Sequence, residues 1–227
     1  MREIVLDTET TGLDPLQGHR VVEIGCLELV NHMPTGRSFH VYLNPDRDMP
    51  AAAFQVHGLS EEFLADKQRF HEIADDFIAF IGDAGLIAHN ASFDVAFLNA
   101  ELQRANRGAI PGERVIDTLA LARRKFPGAN NSLDALCRRF NVDNSSRMLH
   151  GALLDSELLA EVYLELIGGR QPGLVLSVQA AQVSIAVQRN VRPPRPHAPT
   201  VEELAAHTAF IATIANALWL QDETVTS

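Results

Sequence analysis

Ile4-Val5-Leu6-Asp7-Thr8-Glu9-Thr10-Thr11-Gly12 is the stretch on which the fold turns. Its first half is an unbroken aliphatic and β-branched run, the pattern of a buried strand. Two acids follow, spaced by one residue, and then a turn-forming Thr-Thr-Gly. Residues i and i+2 of a strand share a face, so Asp7 and Glu9 are expected side by side at the strand's end. Solvated acids on an exposed strand end would read the same way. In a buried setting the pair repels unless a cation sits between them, and hard divalent cations take oxygen ligands.

Working outward, residues 20–30 (Val21, Val22, Ile24, Leu27, Leu29, Val30) read as a second strand. Residues 31–36 hold a Pro and a Gly and read as a hairpin turn, and Ser38–Leu43 alternates as a third strand. Residues 50–56 and 60–63 suggest two short helical pieces. Phe70, Ile73, Ala74, Phe77, Ile78 and Ile81 fall at helical spacing.

Leu86-Ile87-Ala88 is a short strand leading into His89-Asn90-Ala91-Ser92-Phe93-Asp94. A helix is expected next, capped by Asn90 or Ser92, with Phe93, Ala96, Phe97 and Leu102 inward. Asp94 then lies just past a strand's carboxyl end, where α/β sheets collect ligands. Residues 114–116 read as a strand, and helices are expected over 117–126, 132–140 and 150–167. Strands first, with βα units later, predict an α/β mixed sheet: a three-strand antiparallel meander plus parallel strands, flanked by helices.

The tail differs. Residues 170–199 lack a helical period and contain Pro193-Pro194-Arg195-Pro196, a stiff linker composition. Thr200-Val201-Glu202-Glu203 has the form of a capping box opening a helix with Leu204, Ile211, Ile214, Leu218 and Trp219. That apolar stripe either folds back on the main domain or docks in a partner's groove, and the linker favours a partner. The expected organisation is 1–169, a catalytic domain; 170–199, a linker; and 200–227, a helical tail.

The chain has 227 residues, 46% hydrophobic and 21% charged, with a formal net charge of -10. These values fit a globular protein with a sizeable core, and weigh against a module held to nucleic acid by bulk charge. Cys26 and Cys137 have no metal-ligand spacing and read as reduced core residues. No secretory leader pattern or apolar run of spanning length is visible, so a cytoplasmic location is expected.

Asp7, Glu9, Asp94 and Asp155 thus each stand at a strand end or helix start. Four carboxylates can hold two divalent ions about 3.5–4 Å apart, suited to in-line attack at phosphorus. Mg²⁺ suits such oxygen ligands. His150, five residues before Asp155, is a candidate general base, since its ordinary pKa is near neutrality.

Asp7-Thr8-Glu9-Thr10-Thr11-Gly12, His89-Asn90-Ala91-Ser92-Phe93-Asp94 and His150-Gly151-Ala152-Leu153-Leu154-Asp155 resemble, in order, the three exonuclease motifs of the DEDD family, histidine subtype. The resemblance implies an RNase H-like fold and 3′→5′ exonuclease activity. It also implies two divalent ions (Mg²⁺ or Mn²⁺) on Asp7, Glu9, Asp94 and Asp155, with His150 as base. Asn131-Ser132-Leu133-Asp134-Ala135-Leu136-Cys137 and residues 150–163 are similar to the proofreading epsilon subunits of bacterial DNA polymerase III. That family places a histidine against the terminal nucleotide's phosphate, which here is His57 in Val56-His57-Gly58. It often has an acid five residues earlier, where this chain has Ala52.

The resemblance further implies nucleotide contacts by Asp7, Glu9 and Asp155. Thr8 and Phe93 are candidates for the same role, Phe93 being equally a core residue. It implies a 3′ single-stranded DNA substrate and a polymerase catalytic (alpha) subunit bound by the tail. Gln171-Pro172-Gly173-Leu174-Val175-Leu176 is similar to a sliding-clamp motif without its usual final Phe. A stand-alone RNA-trimming exonuclease and a catalytically silent scaffold subunit are the alternatives.

Overall fold

The computed structural model describes residues 1–145, 147, 149–169 and 198–215. Contacts divide the chain into two units, Met1–Val175 and Leu176–Ser227.

In the first unit, β1 (Arg2–Thr10), β2 (Val21–Val30) and β3 (Met33–Tyr42) form an antiparallel meander. The helices α1 (Ala51–His57), α2 (Glu61–Leu64) and α3 (Phe70–Ile81) follow. β4 (Gly85–Ala88) runs parallel to β1 and leads into α4 (Ala91–Arg104). β5 (Val115–Asp117), parallel to β4, leads into α5 (Thr118–Lys125), and α6 (Leu133–Phe140) and α7 (Ala152–Leu166) complete the layer. The sheet order is β3-β2-β1-β4-β5, the mixed sheet expected, with β1 at its centre.

The period-2 alternation of β1 sorts its side chains between two cores. Ile4 and Leu6 pack with Ile24 and Cys26 against Phe70, Ile73 and Phe77 of α3 and Phe97, Leu98 and Leu102 of α4. Val5 packs on the opposite face with Leu27, Leu29 and Ile87, against Leu136 and Cys137 of α6 and Leu158, Leu159 and Val162 of α7. Each large aliphatic or aromatic side chain so buried contributes about 1.5–3 kcal/mol relative to exposure. Cys26 and Cys137 are both buried and free, as expected.

Two local expectations are corrected. The hairpin turn is the pair Asn31-His32, both at positive φ (52° and 65°), and β3 starts at Met33 rather than Ser38. Asparagine tolerates that region better than most residues, and Pro34 is accommodated because β3 is an edge strand. In α4, Ala96 is exposed and Leu98 takes the inward place.

Gly25 fixes the approach of α7. A Cβ there would overlap the backbone of Ala152 and Leu153, so only glycine admits the helix's first turn this close to β2. The Ser156 hydroxyl closes the contact, donating to the Gly25 carbonyl at 2.9 Å. This seats the first turn of α7, with Asp155, beside the sheet's centre.

In the second unit, α8 (Val201–Ile211) opens with the expected capping box. The Thr200 amide donates to Glu203 Oε2 at 2.8 Å, and the Glu203 amide donates to Thr200 Oγ1 at 3.2 Å. Leu204 and Phe210 on this helix are exposed. The clamp-like segment at 171–176, the Pro-rich stretch, and Leu218 and Trp219 lie outside the described residues.

Candidate active site

The carboxyl ends of the parallel strands β1, β4 and β5 gather at one edge of the sheet. The two faces of β1 supply the site from opposite sides. On the Val5 face stand Asp7 and Glu9, toward the layer that carries Asp155 on α7. Asp7 and Asp155 line one cavity of about 260 Å³ with Asp134, Arg147 and His150. On the opposite face, Thr8 meets Asp94 in the first turn of α4. The Thr8 amide and hydroxyl both donate to Asp94 Oδ1, at 3.1 and 2.7 Å. The Thr8 hydroxyl is therefore engaged in orienting an acid.

Asp94 reaches this place through a backbone turn. Asn90, between β4 and α4, sits at φ 67°, and its amide donates to Asp117 Oδ1 at 3.0 Å. Asn90 holds the N-cap position without a side-chain capping bond.

The acids are strongly perturbed. Burial raises Asp7 well above the ordinary carboxylate range, and Asp94, Glu9 and Asp155 push it further in the same direction. Burial, then Asp155, Glu23 and Asp94, raise Glu9 to about 8. Burial raises Asp94 to about 7 against the lowering effect of its Thr8 bond. Burial is the leading cause for all three, with little positive charge nearby to offset it.

Positive charge comes from Arg147, in the segment between α6 and α7. Its Nε donates to Asp155 Oδ1 at 2.5 Å and its Nη2 to Oδ2 at 2.7 Å. Nη1 donates to Asp134 Oδ1 at 2.7 Å. His150 Nδ1 lies 3.0 Å from Nη2 and 3.4 Å from Asp155 Oδ2. Burial, and then the Arg147 charge, lower the His150 pKa, which keeps the ring neutral near pH 7. The backbone ties this segment to α1, because the His150 amide donates to the Val56 carbonyl at 3.1 Å.

A larger cleft of about 580 Å³ adjoins, lined by Thr8, Glu9, Thr10, Gly12, Ala52, His57 and Phe93 among others. That volume suits a small ligand such as a nucleotide. Gly58, at φ 73°, ends α1 immediately after His57, with its amide on the Phe54 carbonyl at 2.7 Å. His57 Nδ1 accepts from the Leu59 amide at 3.0 Å, which assigns the ring proton to Nε2. Nε2 lies toward the Thr10 backbone without a well-formed hydrogen bond. Ala52, where an acid is common in the resembled family, presents a methyl group to this cleft.

The donor set fits divalent cations. Glu9, His150 and Asp155 each bring one ligand atom within 4.8 Å of the others, and the acids nearby are of the hard oxygen type. The catalytic candidates Asp7, Thr8, Glu9, His57, Phe93, Asp94, His150 and Asp155 thus lie around this sheet edge. Arg147, Asp134 and Gly25 were missed. The signal for Arg147 was a lone cation three residues before His150 in the segment between α6 and α7; for Gly25 it was a glycine inside an apolar strand.

A dense carboxylate cluster beside a nucleotide-sized cleft, on a mixed sheet of RNase H-like architecture, defines a nuclease. The exonuclease family model RNase_T matches residues 4–163, and the chain belongs to this exonuclease family. DNA polymerase III subunit epsilon of Rickettsia felis is 53% identical over 222 residues, spanning 94% of this chain and 97% of the relative. Exonuclease X in complex with 5′-overhanging duplex DNA superposes with a TM-score of 0.57 at 28% identity, over 73% of this chain and 90% of that one. The nuclease domain of 3′hExo, a DEDDh family member bound to rAMP, has a TM-score of 0.64 at 18% identity, over 73% and 91% of the two chains. That last similarity bears on the fold.

Proposed function

We propose that this chain removes nucleoside monophosphates from single-stranded or frayed DNA 3′ ends, as the proofreading subunit of a bacterial DNA polymerase III. The carrying observation is the convergence of Glu9, His150 and Asp155, whose ligand atoms lie within 4.8 Å of one another, with Asp7 lining the same small cavity as Asp155 and His150, Asp94 held by Thr8, and Thr8 and Glu9 lining the 580 Å³ cleft. The similarity to epsilon subunits over nearly the whole chain supports the polymerase assignment.

The four carboxylates would hold two divalent ions, Mg²⁺ or Mn²⁺, which when bound supply an activated water and charge stabilisation at the leaving oxygen. His150, neutral near pH 7, accepts the water's proton. His57, on the cleft wall, would reach the terminal phosphate by turning its Nε2 proton out from the Thr10 backbone. Phe93 and the Thr10–Gly12 backbone form the wall against which the terminal nucleotide rests. A mispaired end frays more readily than a paired one, so discrimination needs no reading of the base.

In this reading residues 1–169 are the catalytic domain, 170–199 a linker and 200–227 the polymerase anchor, with 171–176 a clamp contact. Tethering raises the effective concentration of the 3′ end, which offsets the weak DNA attraction of a chain with net charge -10. Among the described residues, no helix is long and apolar enough to cross a membrane.

Asp7→Ala is expected to abolish Mg²⁺-dependent nucleotide release from single-stranded DNA while the far-UV spectrum is retained. A wild-type chain inactive with Mg²⁺ and Mn²⁺ would favour a scaffold role, and a strong preference for RNA oligomers would favour RNA trimming. Deleting residues 200–227 should leave cleavage intact and end co-elution with the polymerase catalytic subunit.

A further inference from the structure

Arg147 is the feature that the proposed reaction does not use. Its side chain is only 7% exposed, and it engages both oxygens of Asp155 with a two-pronged fork. Its Nη2 also faces His150 Nδ1 at 3.0 Å, so the guanidinium touches both that ring and the carboxylate. Asp155 and His150 are two of the three residues whose ligand atoms converge within 4.8 Å.

We propose that Arg147 is a resident competitor for the divalent-ion site, holding Asp155 with its own charge and yielding that carboxylate when an ion binds. This rests on the two-ion reading above.

Three observations carry it. The fork uses lone pairs on both Asp155 oxygens, so an ion coordinated there must displace or distort it. A dication drawn to Asp155 is repelled by a guanidinium in contact with the same group, in a site where water screens little. A second seat for the guanidinium exists: Nη1 already donates to Asp134 Oδ1 at 2.7 Å, and Asp134, 42% exposed, is more open to water than Asp155. Asn144 also donates to that oxygen, at 3.1 Å, which fixes the Asp134 carboxylate in place. Arg147 can therefore release Asp155 without becoming an unpaired buried charge, the costly alternative.

Calorimetric titration of the metal-free full chain with Mn²⁺ at pH 8 tests this, comparing wild type, Arg147→Gln and Arg147→Lys. Competition predicts that Arg147→Gln binds Mn²⁺ more tightly, on the order of tenfold, since a charge-assisted bond no longer has to be broken. Arg147→Lys keeps the charge but loses the fork, so its affinity should fall between the other two. Unchanged or weaker binding in Arg147→Gln would overturn the proposal and make Arg147 a support for Asp155. Wild-type affinity in Arg147→Lys together with tighter binding in Arg147→Gln would also overturn it, leaving only a remote charge effect. A wild-type chain that binds no Mn²⁺ would sink the two-ion reading as well.

Discussion

Two groups of buried acids in this molecule have opposite fates. Glu101, in α4, receives a bidentate fork from Arg20 at 2.6 and 2.9 Å and a further bond from Arg104 at 3.1 Å. Glu28, on β2, receives Arg2, Thr35 and Arg37, and its bond to Arg2 leads in holding the carboxyl below the ordinary range. Around the carboxyl end of β1, Asp7, Glu9 and Asp94 are instead pushed upward, with a single guanidinium bound beside them on Asp155. The paired acids tie elements together. The unpaired ones weaken the fold locally and keep lone pairs for incoming cations, the usual exchange of stability for function.

Neutralising a member of the unpaired group should give the largest effect. Asp7→Asn is expected to lower nucleotide release by about 10³-fold or more, since Asp7 is one of the four carboxylates that would hold the ions. The metal-free protein should melt no lower than wild type, because a repelled carboxylate has gone; a marked drop in melting temperature would mean that Asp7 is structurally paired.

Glu101→Ala reverses both readouts. Leaving Arg20 without its partner should cost about 3 kcal/mol in denaturant unfolding, while the activity of the folded fraction persists. Equal stability to wild type would erase the contrast between the two groups.

Gly25→Ala probes how the halves of the site are held together. A methyl group driven against the Ala152 backbone should cost about 2 kcal/mol. It should also reduce nuclease activity by moving Asp155 away from Asp7. Wild-type turnover in this variant would mean that the α7 contact tolerates displacement.

The mildest test is pH. Glu9, raised to about 8, and Asp94, raised to about 7, hold protons that an ion must expel. Raised carboxylates favour the metal-free fold fully below their ordinary range, and that contribution is lost as pH climbs through 7 to 8. Mn²⁺ affinity should therefore rise by at least about tenfold from pH 6 to pH 8, with protons released on binding, seen as a buffer-dependent heat. A flat profile would show that these acids are already ionised at pH 6.

Much of this was readable from local pattern. The placement of Asp7 and Glu9 on one strand face follows from period 2 alone, and the α3 helix over Phe70–Ile81 follows from apolar spacing. The Thr200–Glu203 box was legible because its two bonds join residues three apart. The β2–β3 turn was misplaced because Pro34 and Gly36 are strong turn signals. Only the edge position of β3 makes a proline tolerable inside a strand.

The sequence by itself determined the order of elements, the acids and histidines at their ends, and the exonuclease family they resemble. Each of these is set by residue type and short-range spacing. Tertiary structure decided that Arg147 falls on Asp155 and Asp134, that Thr8 turns its hydroxyl to Asp94, and that Gly25 admits α7. Those depend on close approach between segments 8 to 131 residues apart. Charge balance in a buried site depends on which groups meet across such distances, and no local pattern in the chain records that.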